Sequence, residues 1–219
     1  MAQVSYGSGT IWGYRSTDEV CLGDGRRQCV DEMPFIATIN QQGLSGMTSD
    51  GIVGLAPVAR GAGASLFVQQ LYDQGQINEN LFAFAIGKDF EKSKVMIGGY
   101  DLINHSAGKL IWHDLLDTTY WKLPMSHVKY GDTELNVSVK ELIVDTGTSL
   151  TLIPTRDFNA LVEVISASNS RLEFYKLKNG LSASSCSRED FNRFDDISFR
   201  VDNVTYQLPR SAYVQYSAG

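Results

Sequence analysis

Apolar and polar residues alternate in short runs along much of the chain, and a helical period stands out over residues 158–165. There Phe158, Leu161, Val162 and Ile165 fall at offsets 0, 3, 4 and 7, which predicts a helix opened by Thr155 or Asp157 with a core-facing stripe. A shorter helix is predicted from an N-cap at Ser65 to Gly75. The other signals are those of strands and turns. Val4-Ser5-Tyr6 and Thr10-Ile11-Trp12 read as the arms of a hairpin in which Gly7 and Gly9 permit the reversal around Ser8. Two strand ends joined by a Gly-Asp-Gly turn are predicted between Cys21 and Cys29, an extended segment over residues 34–40, and a hairpin over residues 197–208 turning at Asp202-Asn203. The apolar run Leu142-Ile143-Val144 predicts a strand anchored in the core that delivers Asp145 into a turn of Thr146, Gly147, Thr148 and Ser149.

Composition agrees with an all-β protein carrying short helices. Twenty glycines and 11% aromatic residues suit sheets joined by tight turns, and 219 residues are enough for one large domain or two smaller ones. No apolar run approaches the roughly 18 to 20 residues that span a bilayer. A net charge of −6 argues against nucleic acid as a partner and is compatible with work in an acidic compartment. Cys21 and Cys29 face each other across the predicted turn. They can pair, or they can be reduced thiols or half of a metal site; no His accompanies them at ligand spacing, so a metal is not expected. His105, His113 and His127 share no metal spacing either, and no Ser/His/Asp order stands out. Asn104, Asn136 and Asn203 open sequons, and Met1-Ala2-Gln3 is not a signal peptide.

Chemistry concentrates at Asp145. A carboxylate that activates water must be held rigidly; Gly147 leaves room for a backbone N–H to approach it, and Thr146, Thr148 and Ser149 add hydroxyl donors. An Asp-Thr-Gly triplet alone is also an ordinary strand-end turn. Its setting gives it weight. Val4-Ser5-Tyr6-Gly7-Ser8-Gly9-Thr10, Asp50-Gly51-Ile52-Val53-Gly54-Leu55, Phe67-Val68-Gln69-Gln70-Leu71, Val95-Met96-Ile97-Gly98-Gly99, Tyr120-Trp121, Asp145-Thr146-Gly147 and Ser211-Ala212-Tyr213 follow one another in a collinear order that resembles the pepsin and cathepsin D family of aspartic endopeptidases.

That resemblance implies a bilobal, all-β pepsin-like fold. Residues 1–110 would form part of the N-terminal lobe with the flap hairpin and inter-lobe region, and residues 111–219 part of the C-terminal lobe with the second catalytic loop. Asp145 would be a catalytic acid, with Gly147, Thr148 and Ser149 supporting its loop and meeting substrate. Tyr6 would close over bound peptide, Gly7 and Ser8 would bond its backbone, and Ile52, Tyr120 and Ile143 would line subsites. The partner is then a polypeptide substrate and the reaction needs no cofactor or metal. The full-length enzyme is expected to be a monomer of the secretory pathway, lysosome, vacuole or extracellular space. The family uses two Asp-Thr-Gly or Asp-Ser-Gly loops, and this sequence carries one. The expectation is therefore a chain truncated at both ends, inactive alone, with Cys186 left over. A non-catalytic binding or inhibitory relative is the alternative. A symmetric dimer does not fit, because the flap segment precedes Asp145 here.

Overall fold

The computed structural model describes residues 1–7, 9–23, 28–61, 63–87, 92–106, 108–177 and 181–217. It divides into two compact units, Met1–Ile111 and Trp112–Gly219. Each is built mostly of antiparallel strands with a few short helices.

In the first unit, β1 (Ala2–Ser5), β2 (Thr10–Cys21) and β3 (Cys29–Gln42) make a three-stranded sheet. Ser5 faces Thr10 and Val4 faces Ile11, so the two predicted arms pair, with Tyr6 in the turn rather than in the first arm. Tyr6 and Gly9 close its turn by exchanging backbone hydrogen bonds at 2.7 and 3.3 Å. The glycine requirement there is one of space: a Cβ on Gly9 would lie 2.2 Å from the Gln42 carbonyl oxygen of the neighbouring strand. Gly7 has open space around it. The short extended pieces predicted around Thr10, Cys21 and residues 34–40 join into one long β2–β3 ribbon, which absorbs irregularities at Trp12/Gly13 and Asp18/Val20 as register shifts. Cys21 lies opposite Cys29 and the two form a disulfide. Asp24 and Gly25 of the predicted turn fall outside the described residues.

Helix α1 (Phe67–Asp73) follows, with Leu66 rather than Ser65 at its N-cap and no side-chain cap bond. It ends at Gln74, and Gly75 then takes a left-handed φ of 69° that glycine adopts without strain. The helix forms because Phe67, Val68 and Leu71 fall on one face and bury against Val30 and Ile77. Phe82 and Ile97, partners in the hairpin β4 (Phe82–Ala85) and β5 (Lys94–Ile97), pack on the edge of that cluster. The segment Asp50-Gly51-Ile52-Val53-Gly54, one of the motifs that carry the family resemblance, is irregular here. Its Ile52 and Val53 are more than half exposed. A short helix, α2 (Leu102–His105), is capped by Asp101, whose carboxylate accepts from the Asn104 N–H at 3.1 Å.

The second unit is centred on a four-stranded sheet in the order β13-β12-β7-β8, formed by β7 (Ser126–Tyr130), β8 (Thr133–Glu134), β12 (Ile197–Val201) and β13 (Val204–Leu208). The β12–β13 pair is the predicted hairpin, and Asp202 takes a left-handed φ of 51° in its turn. β6 (Lys122–Pro124) pairs with β9 (Glu141–Ile143), and β10 (Phe174–Lys176) with β11 (Ser182–Ser184). Helix α3 (Thr155–Ser168) runs three residues beyond the predicted Ile165. Leu161 and Ile165 of its stripe join Tyr130, Leu135, Leu172, Phe194 and Ile197 in the core, whereas Val164 rather than Val162 packs beside them. The landmark Ser211-Ala212-Tyr213 lies in α5 (Arg210–Tyr213), and the Tyr213 hydroxyl donates to the Asp195 carbonyl.

Helix α4 (Arg188–Asn192) carries a capping box in which the Ser187 hydroxyl donates to Asp190 at 2.7 Å and accepts from the Asp190 N–H at 3.1 Å. The Ser187 hydroxyl and N–H hold the buried Asp190 carboxyl at about 2. An aspartate depressed in this way contributes stability that is complete above about pH 4 and is lost as pH falls through about 2. We expect Asp190→Asn to lower the melting temperature at about pH 5, with the gap from wild type closing toward about pH 2. Thermal melts across that range check this; a gap independent of pH would contradict it.

Candidate active site

Asp145 leaves the end of β9, and the β6–β9 pairing fixes its approach. Leu123 lies opposite Leu142 and Lys122 opposite Ile143, and the ladder continues with the Val144 N–H donating to the Trp121 carbonyl at 2.9 Å. Two residues further on, the Gly147 N–H donates to Asp145 Oδ1 at 2.8 Å and the Thr148 hydroxyl donates to Oδ2 at 2.6 Å. Both carboxylate oxygens thus have a donor from the same turn, which sets the plane of the group while leaving it exposed to solvent. A Cβ on Gly147 would stand 3.1 Å from Asp145 Oδ1, a tight contact that the carboxylate would have to relieve by a few tenths of an ångström.

The strand does not lie in the core as its apolar run predicts. Ile143 is 50% and Val144 52% exposed, and every residue from 143 to 156 is exposed. A continuous apolar run reads as a buried strand only if both faces are covered, and the exposure of Ile143 and Val144 shows that they are not. What rigidity the turn has must come from its ends and from its own hydrogen bonds.

Tyr120 lies in the turn that leads into β6, one residue before the Trp121 carbonyl that holds Val144. That turn is tied down by charge. Asp117 accepts from the Thr119 N–H at 2.7 Å and from Lys122 Nζ at 2.9 Å, and Lys122 Nζ also stands 3.6 Å from Glu141 on β9. The Lys122 ammonium is the main reason the Asp117 carboxyl is held at about 2, and the same bond raises Lys122. The second unit therefore brings together Ile143, Asp145, Gly147 and Thr148 in one strand and turn, with the Tyr120 turn alongside and Ser149 exposed just beyond. Tyr6, Gly7 and Ile52 belong to the first unit, all three exposed, and Ser8 is outside the described residues.

One residue that sequence reasoning treated only as a helix opener is Asp157. It is 1% exposed in the first turn of α3. Its Oδ1 accepts from the Ser138 N–H at 2.8 Å, both oxygens lie 3.0 Å from the Ser138 hydroxyl, and Oδ2 accepts from the Val139 N–H at 3.0 Å. The Ser138 N–H is the principal reason its carboxyl lies below the usual range. No local pattern announces a partner 18 or 19 residues away.

The fold is that of an aspartic proteinase. The crystal structure of the aspartic proteinase from Irpex lacteus superposes with a TM-score of 0.76 at 23% identity, covering 95% of this chain and 62% of that one. The family model described as eukaryotic aspartyl protease matches residues 1–219, and the chain belongs to that family. Among curated relatives, Pepsin A of Rhinolophus ferrumequinum is 32% identical over 217 residues, covering 98% of this chain and 53% of its own length. Pepsin II-1 of Oryctolagus cuniculus is 30% identical over 218 residues, at 96% and 52% coverage. The probable vacuolar protease A of Arthroderma benhamiae is 28% identical over 222 residues, at 99% and 52%. The chain spans about half the length of these relatives. Among the described residues no helix is long and apolar enough to cross a membrane.

Proposed function

We propose that Asp145 is one of the two catalytic carboxylates of an aspartic endopeptidase that hydrolyses peptide bonds by activated water, without covalent intermediate or cofactor. The observation that carries this reading is the Asp145 turn itself: an exposed carboxylate at a strand end, with a donor on each oxygen from Gly147 and Thr148. Aspartic proteases are the standing example of two carboxylates that share one proton, because two such charges in near contact resist ionising together. The charged member takes a proton from water while the protonated member polarises the scissile carbonyl. Neither task belongs to one acid, since the pair titrates as a pair.

In this reading Tyr6 closes over the peptide, Gly7 and Ser8 bond its backbone, and Ser149, Ile52, Tyr120 and Ile143 meet the substrate. Their exposure supports such contacts for the described members of that set. The enzyme would be a monomer acting in the secretory pathway, a lysosome or vacuole, or outside the cell; the Cys21–Cys29 disulfide suits an oxidising compartment. The single Asp-Thr-Gly in the sequence has two consequences. It makes the 219 residues inactive on their own, and it favours a binding or inhibitory relative as the second reading.

The test is a peptide-cleavage assay at acid pH on the 219-residue chain and on the full-length gene product. We expect pepstatin-sensitive cleavage by the full-length product and none by the chain alone. Cleavage by the isolated chain would refute the two-carboxylate requirement, and an inactive full-length product that still binds pepstatin would favour the binding protein.

A further inference from the structure

The turn around Asp145 has its own hydrogen bonds but no buried side chain to hold it in place. From residue 143 to residue 156 no side chain is buried, so the turn gains no positional order from a hydrophobic core. On its N-terminal side it hangs from β9, three residues long and paired among the described residues with β6 alone. On its C-terminal side it runs into α3, which Leu161 and Ile165 fix in the core.

Asp157 connects these two sides. It sits on the fixed side, in the first turn of α3, and its carboxylate accepts the Ser138 and Val139 N–H groups on the strand side, two residues before β9 begins at Glu141. The Ser138 hydroxyl donates to the same group. The segment between Val139 and Asp157 is thereby closed into a loop whose ends are joined by charge-assisted bonds to a carboxylate that is itself buried, while Ser138 on the other side is exposed. Directly beyond the clasp the Lys140 carbonyl accepts from the Met125 N–H at 2.8 Å, which starts the β6–β9 ladder in register.

We propose that Asp157 is a positioning residue for the candidate catalytic turn: by clamping Ser138 and Val139 to the core-anchored end of α3, it sets the register of β9 and so the place from which Asp145, Gly147 and Thr148 emerge. This rests on the reading of Asp145 as a catalytic acid. Carboxylate chemistry is specific at this site. Two N–H groups and a hydroxyl converge on two oxygens, and an amide of the same shape would turn an NH2 group toward one of the donors.

The experiment is amide hydrogen exchange by NMR on the 219-residue chain, comparing wild type with Asp157→Asn and Ser138→Ala. In Asp157→Asn, exchange at Val144 and Gly147 should quicken by about tenfold or more and the Gly147 amide proton should shift, while the β12–β13 amides keep their protection. Ser138→Ala removes one donor and leaves both N–H bonds, so it should give a smaller effect at the same two amides. It carries the test if Asp157→Asn fails to fold. A clasp that only stabilises the unit would raise exchange uniformly and leave the Gly147 shift unchanged; either that outcome or unchanged exchange at Val144 and Gly147 overturns the proposal. Because the readout is independent of peptide cleavage, a loosened turn in a protein that proves not to be a peptidase would sink the catalytic reading and leave the clasp standing.

Discussion

Replacing Leu71 by Ala is expected to destabilise the first unit by about 2–5 kcal/mol. Leu71 is fully buried in α1, and among the described residues the cluster around it has four other buried members, Val30, Phe67, Val68 and Ile77. A helix of seven residues is too short to persist by propensity and depends on this packed face. Truncation removes the transfer free energy of the lost carbons and leaves a cavity that a small cluster relaxes around only in part. Domains of ordinary size are stable by about 5–15 kcal/mol, so the loss is a large share of the total. Urea denaturation followed through the amides of α1 and β4 measures it. Tyr72→Ala, one position along at a half-exposed residue, serves as the control and should change stability by no more than about 0.5 kcal/mol. A Leu71→Ala cost as small as the control would mean that the buried cluster is not what holds the unit.

The comparison of these two neighbours also shows where sequence patterns carry structural information. Periodicity locates α3, and cap and turn signals locate α1 and the β12–β13 hairpin, elements whose apolar residues bury against partners within their own unit. The apolar run Leu142-Ile143-Val144 misleads, for it promises a buried strand and the side chains of Ile143 and Val144 stand in solvent. Burial is a property of what lies opposite, and a run of apolar residues does not name its partner. The length of the β2–β3 ribbon was hidden for a related reason. Its two register shifts interrupt the alternation and split it into pieces.

The candidate site divides in the same way. Asp145, Gly147 and Thr148 lie within four consecutive positions, so their chemistry is legible from residue types alone. The structure adds which atom serves which: the glycine acts through its N–H and the threonine through its hydroxyl. The supports of the turn are not legible. Asp157 to Ser138 and Lys122 to Glu141 are pairings across 19 residues each, chosen by the fold and not by any local motif.

The largest effect is expected at Asp145 itself. Asparagine has the shape of aspartate and can still accept the Gly147 N–H, but it cannot take a proton from water or share one with a second carboxylate. In the full-length gene product, Asp145→Asn should therefore lower kcat for peptide cleavage by about 10² to 10⁴-fold, the usual share of a general acid–base group. KM should move little, because the substitution changes neither size nor the exposed surroundings. Stability should change by no more than about 0.5 kcal/mol at so exposed a site. The most direct measurement is the steady-state rate of peptide cleavage at acid pH by wild-type and Asp145→Asn full-length protein, with folding of both checked by thermal melting. A folded variant that has lost cleavage is the predicted result; a folded variant cleaving within about twofold of wild type would contradict the assignment of Asp145 as a catalytic acid.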